Sequence, residues 1–230
     1  MKEALYNSLT KFGVKILIKY FPEYFASQPL KPLDRFIEYP FIARNLPPPP
    51  LRILDVGCST SFFPLVLAGF GYNVTGIDIR EYAILKHLQF DNFTFKKGDI
   101  GGAPFPSSSF DVVTVISTLE HIGIEGRYGI ESCENADKRA MDEVRRLLKQ
   151  GGASLITIPA GKPAILKPFQ RIYDDVRIGY ISEGFEIVTK EYYMQDANDD
   201  WFQADEMTVC SVNVVNPSRC PLCFIKLVKE

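Results

Sequence analysis

The sequence predicts an α/β fold built on a doubly wound, mostly parallel sheet with helices on both faces. Three observations carry that prediction. Short apolar runs that read as buried strands recur at residues 51–56, 73–77, 93–97, 110–116 and 153–158. Segments with helical character lie between them, most clearly at 62–68 and 136–150. The first run also ends in a small-residue turn, and the second ends on an acid, Asp78, about twenty residues later.

The elements follow in order. In the N-terminal segment, residues 1–46, Leu5, Leu9, Phe12, Ile16 and Tyr20 recur at three- and four-residue spacing, and Lys11, Lys15 and Lys19 form a parallel basic stripe. This is a helix that packs on the core or covers the site, or one that lies on a membrane surface. Pro47 to Pro50 is extended and cannot be helical. It divides the chain into a helical lid or packing segment, 1–46, and a main domain, 47–230. Leu51, Ile53, Leu54 and Val56 make the first strand, and Gly57, Ser59, Thr60 and Ser61 make the turn. Pro64 is tolerated in the first turn of the following helix.

A strand, a tight turn onto a helix N-terminus and an acid at the next strand tip make a nucleotide site. The turn lets a ligand lie against backbone, and Asp78 can accept both hydroxyls of a ribose. A dinucleotide would want G-x-G-x-x-G beneath its pyrophosphate. Here Cys58 and Ser59 follow Gly57, and no second glycine arrives before Gly69. A ligand with ribose and adenine but no phosphates fits better.

LDVGCSTS followed by GIDIR resembles the first two motifs of class I S-adenosylmethionine-dependent methyltransferases. The family loop is acid-x-Gly-x-Gly-x-Gly. This chain keeps Asp55 and Gly57 and has Ser59 and Ser61 at the later glycine positions. The resemblance covers roughly residues 50 to 190. It implies a seven-stranded Rossmann-like sheet whose last strand is antiparallel, with 185–193 and 207–215 as the last two strands. It implies S-adenosyl-L-methionine as cofactor, held by Asp55, Gly57, Cys58 and Ser59 in the loop, by Asp78 and Ile79, and by Ser117 after the fourth strand. Asp99 would accept from the adenine amino group and Ile100 would pack on the ring. Ala140, Val144, Leu147 and Leu148 share one helix face, Gly151-Gly152 stops that helix, and an apolar strand closed by Pro159 follows, a join common in the family.

Methyl transfer to a hydroxyl needs aligned reactants and a base. Of the two histidines, His87 falls in the helix after Asp78 and reads as surface or packing. His121 falls just past the fourth strand, where catalytic groups of open α/β sheets collect. It is the expected base, with capping or substrate binding as the alternative. Glu120 can orient it or bind a substrate hydroxyl. The E-H-I-G join, the R-Y-G loop and the R-x-Y element after the fifth strand resemble a subset of methyltransferase-like proteins associated with bacterial and archaeal surface-glycan genes. Arg127, Tyr128, Arg171 and Tyr173 would then grip a sugar or an anionic group, or else anchor loops.

Composition adds bounds. A net charge of -2 over 230 residues suggests no broad attraction to nucleic acid, and no basic aromatic patch appears. The Pro-Pro-aromatic motif of base amine methylation is absent after the fourth strand, and no cysteine stands there for carbon-5 methylation of cytosine. No apolar run reaches the roughly 20 residues of a membrane helix, and the N-terminus lacks a signal-peptide cleavage site. A cytoplasmic protein is expected, with a small-molecule or glycan acceptor and possible homodimer formation. The five cysteines read as free thiols. Cys220-x-x-Cys223 can alternatively bridge or join a metal site, and residues 195–206 read as a solvated acidic loop or an acidic metal site, although no metal is expected. Three functions remain: methyl transfer to oxygen of a sugar or other small polar metabolite, a cofactor-binding module or partner subunit without transfer activity, and a nicotinamide-dependent enzyme, which the missing phosphate glycines disfavour.

Overall fold

The computed structural model describes residues 34–59, 61–82, 91–126 and 133–230, together with Lys19, which is helical and exposed. The remaining N-terminal periodicity, His87, Arg127 and Tyr128 lie outside the described residues. The main body runs from Asp34 to Glu230.

Helix α1 (Arg35–Asn45) precedes β1 (Arg52–Val56), α2 (Phe63–Gly69), β2 (Asn73–Asp78), β3 (Phe93–Lys97) and β4 (Phe110–Ile116). Then come α3 (Ala136–Leu147), β5 (Leu148–Pro159), a small hairpin of β6 (Ala164–Leu166) and β7 (Gln170–Ile172), and α4 (Asp175–Ile181). The chain closes with β8 (Phe185–Gln195), β9 (Trp201–Ala204), α5 (Glu206–Cys210) and β10 (Leu222–Lys229). The main sheet has eight strands in the order β3-β2-β1-β4-β5-β10-β8-β9. The β1–β2, β2–β3, β1–β4 and β4–β5 pairs are parallel, while β10 runs antiparallel to both β5 and β8.

Both sheet faces are covered, which is why the strands read as unbroken apolar runs. Alternate residues serve opposite layers. Leu54, Val56, Val113 and Val115 pack with Met141 and Val144 of α3 and Ile178 of α4. Ile53, Val112 and Leu155 pack with Phe41 and Ile42 of α1 and Leu65 and Leu67 of α2. Each such fully buried aliphatic side chain contributes about 1.5–3 kcal/mol.

The C-terminal reading needs correction. Residues 207–215 are not a strand. Asp205 accepts the Thr208 N–H at 2.8 Å and starts α5, so the β-branched pattern there is local composition. The final antiparallel strand is β10, inserted between β5 and β8. It sends Cys223, Ile225 and Leu227 to one layer and Leu222 and Phe224 to the other, so it lacks the alternation of a half-exposed strand. Within the expected loop 195–206, β9 pairs with β8 and supplies the eighth strand, and the Asp196 carboxylate accepts the N–H groups of Asn198 and Asp200 to close the turn. No described helix is long and apolar enough to cross a membrane.

Candidate active site

The parallel strands β1, β2, β3 and β4 end along one rim, and a cavity of about 260 Å³ opens there. Its floor is the turn after β1. Gly57 has φ +80° and donates its N–H to the Ile77 carbonyl at 2.8 Å, which ties the turn to β2. A Cβ at this position would lie 2.8 Å from the Cβ of Thr118, and closer still to its Oγ1 and Cγ2. Only glycine meets both demands.

Asp78, at the tip of β2, is buried and organises the same turn. One carboxylate oxygen accepts the Ser59 N–H at 2.9 Å, and the other accepts the Arg80 N–H at 2.8 Å. Asp99, at the end of β3, is exposed and accepts the Gly101 N–H at 2.8 Å through one oxygen. Val56, Ile77, Ile79 and Ile100 give the cavity apolar walls between these two acids. This donor and acceptor set suits a nucleoside without phosphates. The two serines at glycine positions do not obstruct it, since neither lines this cavity. Ser59 is buried and its hydroxyl has no hydrogen-bond partner among the described residues. Ser61 bonds Tyr39 of α1 at 2.9 Å and accepts the Phe63 N–H at 3.0 Å.

Asp55 also stands behind the cavity wall. It is buried, accepts the Thr114 hydroxyl, and burial pushes its pKa up to about 7. It borders a small cavity of about 30 Å³ shared with Arg35, Tyr39 and Gly57. Cys58 is buried too, which raises its thiol pKa well above the usual range.

A second cavity of about 240 Å³ adjoins the first. Arg35, Ser117 and His121 form walls of both. Beyond them the second cavity is lined by Asp34, Glu120, Gln170 and Ser218, with Pro159, Pro217, Cys220 and Leu222. His121 sits in a short 3₁₀ turn, Leu119–His121, directly after β4. Its Nδ1 lies 2.8 Å from the Phe169 carbonyl, which can only accept. The proton is therefore on Nδ1, and in the neutral ring Nε2 carries the lone pair. Nε2 is 3.6 Å from Oε1 of the buried Glu120.

The structure thus places Gly57, Asp78, Ile79, Asp99, Ile100, Ser117 and His121 on the first cavity and Glu120 on the second. It does not bring Arg171 and Tyr173 there. Arg171 is buried, pairs with Asp137 at 3.2 Å and reaches the Ile122 carbonyl. Tyr173 is fully buried, with the Arg171 guanidinium 6.0 Å from its ring centre. Asp137 also binds Arg177, so these groups anchor the loops after β4 and β5. Sequence reading missed Arg35, Glu38 and Thr118. Glu38 had a signal, an acid amid Phe36, Ile37, Tyr39 and Phe41 in a helical stretch.

Residues 54–156 match the methyltransferase domain family. A demethylmenaquinone methyltransferase of Tropheryma whipplei is 27% identical over 162 residues, 68% of this chain and 62% of that protein. A sterol 24-C-methyltransferase of Yarrowia lipolytica is 30% identical over 113 residues, 45% of this chain and 26% of that protein. The chain thus spans less than two thirds of the length of these relatives. The crystal structure of the N-methyltransferase NodS from Bradyrhizobium japonicum, in complex with S-adenosyl-L-homocysteine, superposes with a TM-score of 0.61 at 16% identity, covering 87% of this chain and 89% of that one. The strand order and the matched segment converge on the rim where β1 to β4 end: residues 54–156, which carry β1 to β4 and their turns, are similar to a methyltransferase domain.

Proposed function

We propose that this protein transfers a methyl group from S-adenosyl-L-methionine to an oxygen of a sugar or other small polar metabolite. The observation that supports this reading is the pair of adjoining cavities that share Arg35, Ser117 and His121. The first takes the cofactor. Asp78 accepts the ribose hydroxyls, Asp99 accepts the adenine amino group, and Ile79 and Ile100 cover the ring. Gly57, backed by Asp55, Cys58 and Ser59, provides the backbone surface. The bound cofactor supplies an activated sulfonium methyl.

The second cavity takes the acceptor. His121 Nε2 removes the acceptor proton, because the Phe169 carbonyl fixes the proton on Nδ1. Glu120, with Oε1 3.6 Å from Nε2, accepts an acceptor hydroxyl and stabilises the imidazolium once Nε2 has taken the proton. The relatives named for a quinone and a sterol have apolar acceptors, yet this cavity presents Asp34, Arg35, Glu120 and Gln170. Burying an apolar skeleton against such groups would strip their hydration without return. A hydroxylated acceptor replaces those lost hydrogen bonds.

A second reading, a cofactor-binding module or partner subunit without turnover, is favoured by one observation: serines occupy the two later glycine positions of the loop. Measuring S-adenosyl-L-homocysteine release with a panel of hexoses, amino sugars and polyols, beside a quinone and a sterol, separates the readings. Release with hydroxylated acceptors supports oxygen transfer. Release with the quinone or sterol alone refutes the polar acceptor, and cofactor binding without release from any of them supports the module.

A further inference from the structure

Glu38 is a carboxylate with no exposed surface, carried by α1 into the junction of α1, β4 and β5. Burying a charge is costly unless it is paired and fully hydrogen-bonded, so its partners show what it is for. Oε1 accepts the Ser117 hydroxyl at 2.5 Å and the Thr157 hydroxyl at 2.6 Å. Oε2 pairs with the Arg35 guanidinium. The network closes on itself, because the Ser117 N–H donates to Thr157 Oγ1 at 3.0 Å. Two of its members, Ser117 and Arg35, line both large cavities, whereas Glu38 and Thr157 line neither.

Ser117 holds φ +41°, in the left-handed region that a non-glycine residue enters only when its surroundings impose it. Here the imposition is visible: the side-chain hydroxyl is tied to Glu38, and the N–H is shared between Thr157 Oγ1 at 3.0 Å and the Thr157 carbonyl at 3.1 Å. If those ties are lost, the backbone at the end of β4 can relax toward a negative φ, and the wall between the two cavities moves with it.

We propose that Glu38 is a positioning residue: with Thr157 it clamps Ser117 in its left-handed conformation and fixes Arg35, and so shapes the wall common to the cofactor and acceptor cavities. The inference rests on the cofactor reading above. It makes α1 part of the site's machinery, a role distinct from covering the core.

The test is calorimetric titration of the full-length protein with S-adenosyl-L-homocysteine, paired with thermal melts. Wild type, Glu38→Gln, Thr157→Val, Ser117→Gly and the Ser117→Gly/Thr157→Val pair are compared. Glu38→Gln and Thr157→Val should each weaken binding about tenfold, the scale of one lost bond to a charged group, since Thr157→Val removes the hydroxyl bond to Glu38 while the Ser117 N–H keeps the residue-157 carbonyl. Glycine adopts a positive φ without being held. Thr157→Val should therefore change affinity by less than about twofold in the Ser117→Gly background. Lower melting temperatures with unchanged affinity in both single variants would reduce Glu38 to a support of the fold and overturn the proposal. An equal loss from Thr157→Val with serine or glycine at 117 would overturn the clamp. Should Glu38→Gln fail to fold, the Thr157→Val series, which keeps the charge pair, decides alone. Failure of the wild type to bind would instead refute the cofactor reading.

Discussion

Replacing Gly57 by alanine perturbs the floor of the cofactor cavity with a single methyl group. Two independent costs follow. The residue has φ +80°, and an L-residue in left-handed geometry costs about 1–2 kcal/mol. The new Cβ would also lie 2.8 Å from the Cβ of Thr118 and nearer to its Oγ1 and Cγ2, an overpacking that costs about 1–3 kcal/mol. Together they give a loss of about 2–5 kcal/mol, which lowers the melting temperature of a chain this size by about 10 °C. Thr118 cannot retreat freely, since its hydroxyl donates to the Ile116 carbonyl at 2.9 Å. The two costs are separable. Thr118→Ala removes Oγ1 and Cγ2, so Gly57→Ala in that background should cost about 1–2 kcal/mol less than it does alone. Urea unfolding of the four proteins in the cycle measures that coupling. If Gly57→Ala unfolds at the wild-type denaturant concentration, or if the two substitutions simply add, the turn is not wedged against Thr118.

Further outcomes follow from the same geometry. His121→Asn should lower the transfer rate by about 100-fold or more with cofactor affinity within about twofold, and full turnover in that variant would remove His121 as base. Burial pushes the Asp55 pKa up to about 7, from an ordinary 3.8, so the folded chain holds an extra proton between those limits. Stability should therefore fall as pH rises through that window, by up to about 4 kcal/mol from this group. Asp55→Asn should flatten the decline in chemical-denaturation series from pH 4 to 8, and parallel curves for the two proteins would contradict the buried-acid account.

Much of the core was legible because it is local. The β1 turn, Asp78, Asp99 and the strands through β4 are each set by short-range pattern, with apolar runs ended by Gly57 or by acids, whereas β5 was legible only from Ala153: the helix ends at Leu147, and the strand starts at Leu148 and runs through Gly151-Gly152. The C-terminal third was not, because β10 is a strand buried on both faces and placed between β5 and β8, so no alternation marks it. Segment 207–215 carried stronger strand propensity, yet a single Asp205 cap directs its start into helix. Arg171 and Tyr173 look like ligand-binding groups in sequence. Only the fold reveals that Asp137, more than thirty residues earlier, takes up the Arg171 charge. Glu38 and Arg35 reach the site through α1, at a sequence separation of 79 residues between Glu38 and Ser117, and no motif announces a contact of that range.

The proposed function stands on the binding of S-adenosyl-L-methionine in the rim cavity through Asp78. Calorimetric titration of wild type and Asp78→Ala with S-adenosyl-L-methionine and S-adenosyl-L-homocysteine, with NAD as control, tests it directly. Micromolar binding of both sulfur compounds to wild type, none of NAD, and a loss of about 10- to 100-fold in Asp78→Ala are expected. Equal affinity in the two proteins, or binding of NAD alone, would contradict it.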